Sequence, residues 1–124
     1  MNSFSSLNVG VDLLNQSRIK ALINRRGLDR FSRWILTPHE LSQLPSQTDP
    51  IPYLAVRWAV KEALYKACFP WYRLHWQQVS IVKGEGGQPL CVFEGGGPRW
   101  LQAKVSVSHE ADLILAQALV FAPS

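Results

Sequence analysis

The sequence predicts an α+β fold, N-terminal helices packed on a small antiparallel sheet, and three observations carry that prediction. Apolar residues recur at helical spacing through the first half of the chain and alternate with polar ones through much of the second. Helices and strands are grouped along the chain instead of alternating one by one, which separates α+β from a doubly wound sheet. The 124 residues, 47% of them hydrophobic and five of them Trp, suffice for one domain over 1–124 with a packed core.

Leu7 to Val11 alternates apolar with small or polar residues and reads as a first strand ending at Asp12. Ile19, Leu22 and Ile23 mark a helix, with Arg25 and Arg26 in its last turn and Gly27 as its stop. Leu28 to Leu36 is a second short helix. Thr37-Pro38-His39-Glu40 opens a third: an N-cap, Pro at the first helical position, and Glu placed to close a capping box. That Glu needs no functional reading. A loop over 46–52 leads to the clearest helix, from Pro52 to Cys68, with Val56, Val60, Ala63, Leu64 and Ala67 as its core stripe. Val79 and Ile81 begin a hairpin that turns over Gly84 to Gly87 and returns through Leu90 to Phe93. Gly95 to Pro98 is a loop. Lys104 to Ser108 and Leu113 to Phe121 form a last hairpin around His109 to Asp112. Its second strand is apolar on both faces, the mark of a strand covered on both sides, centrally in the sheet or at a subunit interface.

A formal charge of +4 favours anionic partners: nucleic acid, phosphorylated small molecules or an acidic protein. Arg18, Arg25, Arg26 and Arg30 make the most cationic stretch. Cys68 and Cys91 form neither a CxxC pair nor a zinc spacing, and read as buried free thiols of an intracellular protein. No apolar run is long enough to span a membrane, and the short Ser-rich N-terminus has the layout of neither a secretory signal nor a transit peptide. The Gly86-Gly87-Gln88-Pro89 turn has neither a P-loop nor a dinucleotide pattern.

The candidate chemistry lies on the long helix. Arg57 with Lys61, and Glu62 with Lys66, stand at i, i+4, which by itself is ordinary surface decoration. But Ala55, Ala59, Ala63 and Ala67 leave room for a close neighbour, and Glu62 lies beside Trp58 on the wheel. A carboxylate in a partly apolar groove needs a cation or a metal. Asp12, at the end of the first strand, is either a cap for the next helix or a second carboxylate for that metal. Two carboxylates plus water and phosphate oxygens suit Mg²⁺, and Arg57, Lys61 and Lys66 would then surround the phosphates. Ser108 and His109 are a further candidate for a phosphate or ribose hydroxyl. His39 and His75 have no comparable setting.

The order of these pieces is more specific than any one of them. Gly10-Val11-Asp12, Arg18-Ile19, the run Phe31 to Thr37 with Glu40-Leu41, Arg57 to Ala67, Gly87-Gln88-Pro89 and Val105 to His109 resemble the holo-acyl-carrier-protein synthase family over nearly the whole chain. The resemblance implies a 4′-phosphopantetheinyl transferase fold, a homotrimer with active sites between subunits, and transfer of the 4′-phosphopantetheine of coenzyme A to a serine of an acidic acyl carrier protein. Mg²⁺, or Mn²⁺ in its place, assists, and 3′,5′-ADP is released. By matching positions, Asp12 and Glu62 hold the metal, and Lys66 contacts the pyrophosphate. Arg57, Lys61, Ser108 and His109 line the nucleotide, with Gly87 and Pro89 at the adenine end. Arg18, Arg25, Arg26 and Arg30 face the carrier. The base is Glu62 or a metal-ordered water.

Two positions depart from the pattern: Asn15 stands where many relatives are acidic, and Trp34 where many are basic. Fatty-acid synthesis is the usual destination of this branch, and bacterial-type cytoplasm or mitochondrial matrix its place. Two competing readings remain: a basic nucleic-acid-binding module whose binding falls steeply with salt and does not need Glu62, and a catalytically inactive subunit of a carrier-modifying assembly.

Overall fold

A computed structural model describes residues 4–95 and 101–123. Strand β1 (Phe4–Asn15) leads into three helices, α1 (Gln16–Arg26), α2 (Leu28–Ile35) and α3 (Pro38–Gln43), and then the long α4 (Pro50–Cys68). The stops and starts are local chemistry. The Asn15 side chain accepts the Ser17 N–H at 3.0 Å and caps α1, while Gly27, at φ 88°, ends it in a conformation a side chain would strain. Thr37 and Glu40 close the predicted capping box, each side chain accepting the other's backbone N–H at 3.2 and 2.9 Å.

Strands β2 (Val79–Lys83) and β3 (Pro89–Phe93) form a two-stranded hairpin. Strands β4 (Gln102–Glu110) and β5 (Leu113–Pro123) join β1 in an antiparallel sheet of order β1-β5-β4. The strand that is apolar on both faces is therefore the central one. Its inner residues Ile114, Ala116, Ala118 and Val120 are buried. On the outer face Leu7, Val9, Val11 and Leu13 of β1, with Leu113 and Leu115 of β5, are all more than 40% exposed in the single chain.

Two expectations need correction. The first strand does not end at Asp12; it pairs with β5 as far as Asn15↔Leu113, so Asp12 lies inside the strand and Asn15, not Asp12, caps α1. The last hairpin turns over Ala111 and Asp112 alone, His109 and Glu110 still being paired to Ile114 and Leu113. Of the loop over 95–98, residues 96–98 lie outside the described residues.

Helix α4 is buried far beyond the expected stripe, with Tyr53, Leu54, Ala55, Trp58, Ala59 and Cys68 also inside and Val56 only half-buried. The sheet covers one side of it, and α1, α2 and β2 cover others. Its alanines do admit a close neighbour. A Cβ on Gly10 would stand 2.0 Å from the Ala63 carbonyl oxygen and 2.7 Å from the Ala67 nitrogen, so β1 lies directly on the helix backbone. Asn8 fixes its register by donating to the Ala67 carbonyl at 2.9 Å. Cys68 is buried and Cys91 half-buried, both free, with burial pushing the thiols up to about 11 and about 12, which keeps them protonated and inert. Among the described residues no helix is long and apolar enough to cross a membrane.

Candidate active site

The close crossing of β1 over α4 brings the two predicted carboxylates together. Asp12 lies two residues beyond Gly10 on the same face of β1, and Lys66 reaches across from α4 to donate to the Val11 carbonyl at 3.0 Å and to Asp12 Oδ1 at 3.3 Å. The other oxygen, Asp12 Oδ2, is buried and has no hydrogen-bond partner among the described residues. Glu62 sits half-buried beside it. Burial raises the Glu62 carboxyl above the ordinary glutamate range and the negative charge of Asp12 raises it further, while Lys66 and Arg18 pull it back. A buried oxygen with no donor, next to a second carboxylate disfavoured in its charged form, fits a bound cation that would relieve both. Among the described residues no cluster of three or more potential ligands occurs, so the pair would leave most of a cation's shell to water or substrate oxygens.

The second predicted cluster forms a groove of about 700 Å³ on another side of α4. Arg57, Gly87, Pro89 and His109 line it together with His39 and Lys83. Arg57 is held tightly: its guanidinium lies 3.7 Å over the Tyr53 ring and donates to the Tyr53 and Ile81 carbonyls at 3.3 and 3.1 Å. Two cationic side chains and two imidazoles around a partly apolar cleft suit a phosphorylated ligand with a flat apolar part. His39 was missed because in the sequence it is only the second residue of a capped helix; its place on the groove wall depends on where α3 packs.

Two predicted ligands stand elsewhere. Lys61 is wholly buried, and its ammonium donates to Glu40 Oε1 at 2.5 Å, to the Ile35 carbonyl at 2.8 Å and to the Trp76 carbonyl at 3.0 Å. All three of its protons are used inside the protein, which removes Lys61 from the phosphate cluster. Ser108 is exposed and pairs with Leu115, on the outer face of β4, so it does not meet His109 in this groove. The two clusters are also apart from each other. Arg57 and Glu62 are five residues apart on α4, about 140° around the helix.

The four arginines lie on or next to α1. All four are exposed, and two are anchored on aromatic faces: Arg18 stands 5.4 Å from the centre of Trp58, and Arg26 is 5.2 Å from that of Trp34. Trp34 is 54% exposed and meets Phe31 and Trp58 edge-on, so the residue that departs from the family pattern contributes to the surface beside the arginines. Asn15, the other departure, spends its side chain on the α1 cap.

A small α+β fold with paired carboxylates and a lysine on one side of a long helix, and a cationic groove on another, has the charge arrangement that suits phosphorylated ligands. Residues 8–118 match the model of the 4′-phosphopantetheinyl transferase superfamily, and the chain belongs to that family. Among its relatives is the holo-[acyl-carrier-protein] synthase of Aquifex aeolicus, 34% identical over 118 residues that cover 90% of this chain and 96% of that one. The crystal structure of holo-[acyl-carrier-protein] synthase from Neisseria meningitidis superposes with a TM-score of 0.81 at 30% identity, covering 94% of this chain and 98% of the other. The Helicobacter pylori synthase, solved in complex with coenzyme A, shares the fold with a TM-score of 0.71 at 24% identity over 90% of this chain and 98% of its own.

Proposed function

We propose that this protein is a holo-acyl-carrier-protein synthase, which transfers the 4′-phosphopantetheine arm of coenzyme A to a serine of an apo acyl carrier protein. The observation that carries the reading is Asp12 Oδ2, a buried carboxylate oxygen with no donor among the described residues, beside Glu62 and Lys66, in a member of a family whose named relatives are such synthases. The serine hydroxyl attacks the β-phosphorus of the coenzyme A pyrophosphate. A P–O bond forms there, the bond to the α-phosphate oxygen breaks, and 3′,5′-ADP leaves. Asp12 and Glu62 would hold Mg²⁺, which when bound supplies positive charge to the phosphate oxygens. Lys66 offsets charge on the leaving phosphate, and the serine proton passes to Glu62 or to a water. Arg57 and His109 hold the nucleotide phosphates, with Gly87 and Pro89 toward the adenine.

The placement of the groove and the carboxylates around α4 supports a site shared between copies of this chain. The open apolar face of β1 and β5 offers the surface for such contact, and an association that buries it would accord with the trimer that the resemblance implies. Ser108, on that same outer face, would then serve a neighbour's site.

Incubation with coenzyme A, Mg²⁺ and an apo carrier tests the reading directly. The carrier should gain the mass of the arm while 3′,5′-ADP accumulates; unchanged carrier mass across several acyl carrier proteins would refute it. The docking surface has its own prediction. Arg18→Glu reverses a charge on the α1 face and leaves the groove untouched, so the KM for carrier should rise about tenfold or more with coenzyme A affinity unchanged. Equal loss of both would argue against α1 as the docking face.

A further inference from the structure

Glu40 contacts both of the residues that hold Arg57, Tyr53 and Ile81. Its backbone carbonyl accepts the Tyr53 hydroxyl at 2.8 Å, and the Tyr53 ring is the surface on which the guanidinium lies. Its Oε2 accepts the Ile81 N–H at 2.8 Å, and the carbonyl of that same residue accepts an N–H of Arg57. Oε2 also stands 3.9 Å from Arg57 Nε, beyond a hydrogen bond but close enough for attraction. The carboxylate is wholly buried, so all of this is fixed by the interior and not by solvent.

The charges around it are unequal. Glu40 Oε1 makes the short contact with Lys61 and accepts the Thr37 N–H, so Lys61 takes the nearer share of the negative charge. Arg57 is left with a distant counter-charge, a buried Nε with no hydrogen-bond partner among the described residues, and a position on the groove wall. A guanidinium held rigid on three sides but only partly neutralised is preorganised for an anion. A capping-box glutamate would serve α3 equally well at the surface, so the cap does not explain the burial.

Resting on the coenzyme A reading above, we propose that Glu40 is a positioning residue for that substrate: acting through Tyr53, Ile81 and the buried pair with Lys61, it sets the Arg57 guanidinium against the groove where a phosphate of coenzyme A binds. The consequence is specific to one ligand. Disturbing Glu40 weakens coenzyme A and leaves the carrier's own KM unchanged, because the arginines that face the carrier lie on and beside α1, away from this hub.

A double-mutant cycle on coenzyme A binding, read by calorimetry without carrier, tests it. Arg57→Gln should weaken binding about tenfold to a hundredfold, as expected for a lost charged hydrogen bond. Glu40→Gln should weaken it about tenfold, and the double variant should be no weaker than Arg57→Gln alone, since Glu40 acts through Arg57. Additive losses, or a Glu40→Gln protein that binds coenzyme A normally, would overturn the proposal. If Glu40→Gln alone fails to fold because Lys61 is left unpaired, the combined Glu40→Gln/Lys61→Met change takes its place in the cycle, which removes both buried charges together. An unmodified protein that binds coenzyme A but modifies no carrier retires the transferase reading and leaves this cycle fully readable; one that does not bind coenzyme A sinks both.

Discussion

Glu62→Gln, and separately Asp12→Asn, should reduce carrier modification by about 10²–10³-fold, the scale on which an active site loses a group that stabilises developing charge. Neither change should unfold the chain, and for Glu62 the opposite effect on stability is expected. Burial, then Asp12, raise the Glu62 carboxyl in the folded protein. The folded state thus holds that proton more tightly than the unfolded chain, and stability falls as pH rises from the ordinary glutamate range through the raised folded value. At neutral pH the ionised Glu62 is a net cost to the fold. Glutamine removes that cost, so in chelator-containing buffer at pH 7 the Glu62→Gln protein should melt no lower than its parent, and the gap between the two should close in acid. A residue that destabilises the fold while enabling the reaction is the signature of a functional site. Near-normal turnover in either variant would refute the metal assignment, and a large fall in Tm for Glu62→Gln would place Glu62 among the structural carboxylates instead.

The buried counterpart, Glu40, explains where sequence reading reached its limit. Helix ends were legible because their chemistry is local: Thr37 with Glu40 and Gly27 after the basic turn each declare themselves within a few residues. The doubly apolar β5 was legible for the same reason, its two faces being written into adjacent residues. Lys61 was not. A helical wheel assigns a lysine to solvent or to a ligand, and the partner that draws Lys61 inward sits 21 positions away in a capping box that already had a sufficient explanation. Only the packing of α3 and β2 against α4 shows that one carboxylate serves both purposes. The extent of β1 was misread at Asp12 because a charged residue looks like a strand end. It is kept within the strand by pairing with Ala116 on one side and by Lys66 from the helix behind.

Gly10→Ala is the substitution expected to cost the fold most for the fewest atoms. The added methyl would lie 2.0 Å from the Ala63 oxygen, 2.7 Å from the Ala67 nitrogen and 3.1 Å from the Ala63 carbonyl carbon, all of them helix backbone. No rotamer can move aside. Either β1 lifts from α4 or the helix bends, and both separate β5's partner strand from the core. Overpacking of this kind costs about 3 kcal/mol or more, which in a chain of this size lowers Tm by about 10 °C. Asp12 follows Gly10 on the same face of β1, so any displacement that relieves the clash also draws the carboxylate away from Lys66 and Glu62, and transfer should fall even at temperatures where the variant stays folded. Ala63→Gly and Ala67→Gly provide the control. They delete side chains but leave the clashing backbone atoms in place, so neither should rescue Gly10→Ala; rescue would mean that side-chain crowding, and not the approach of strand to helix backbone, is what requires glycine here.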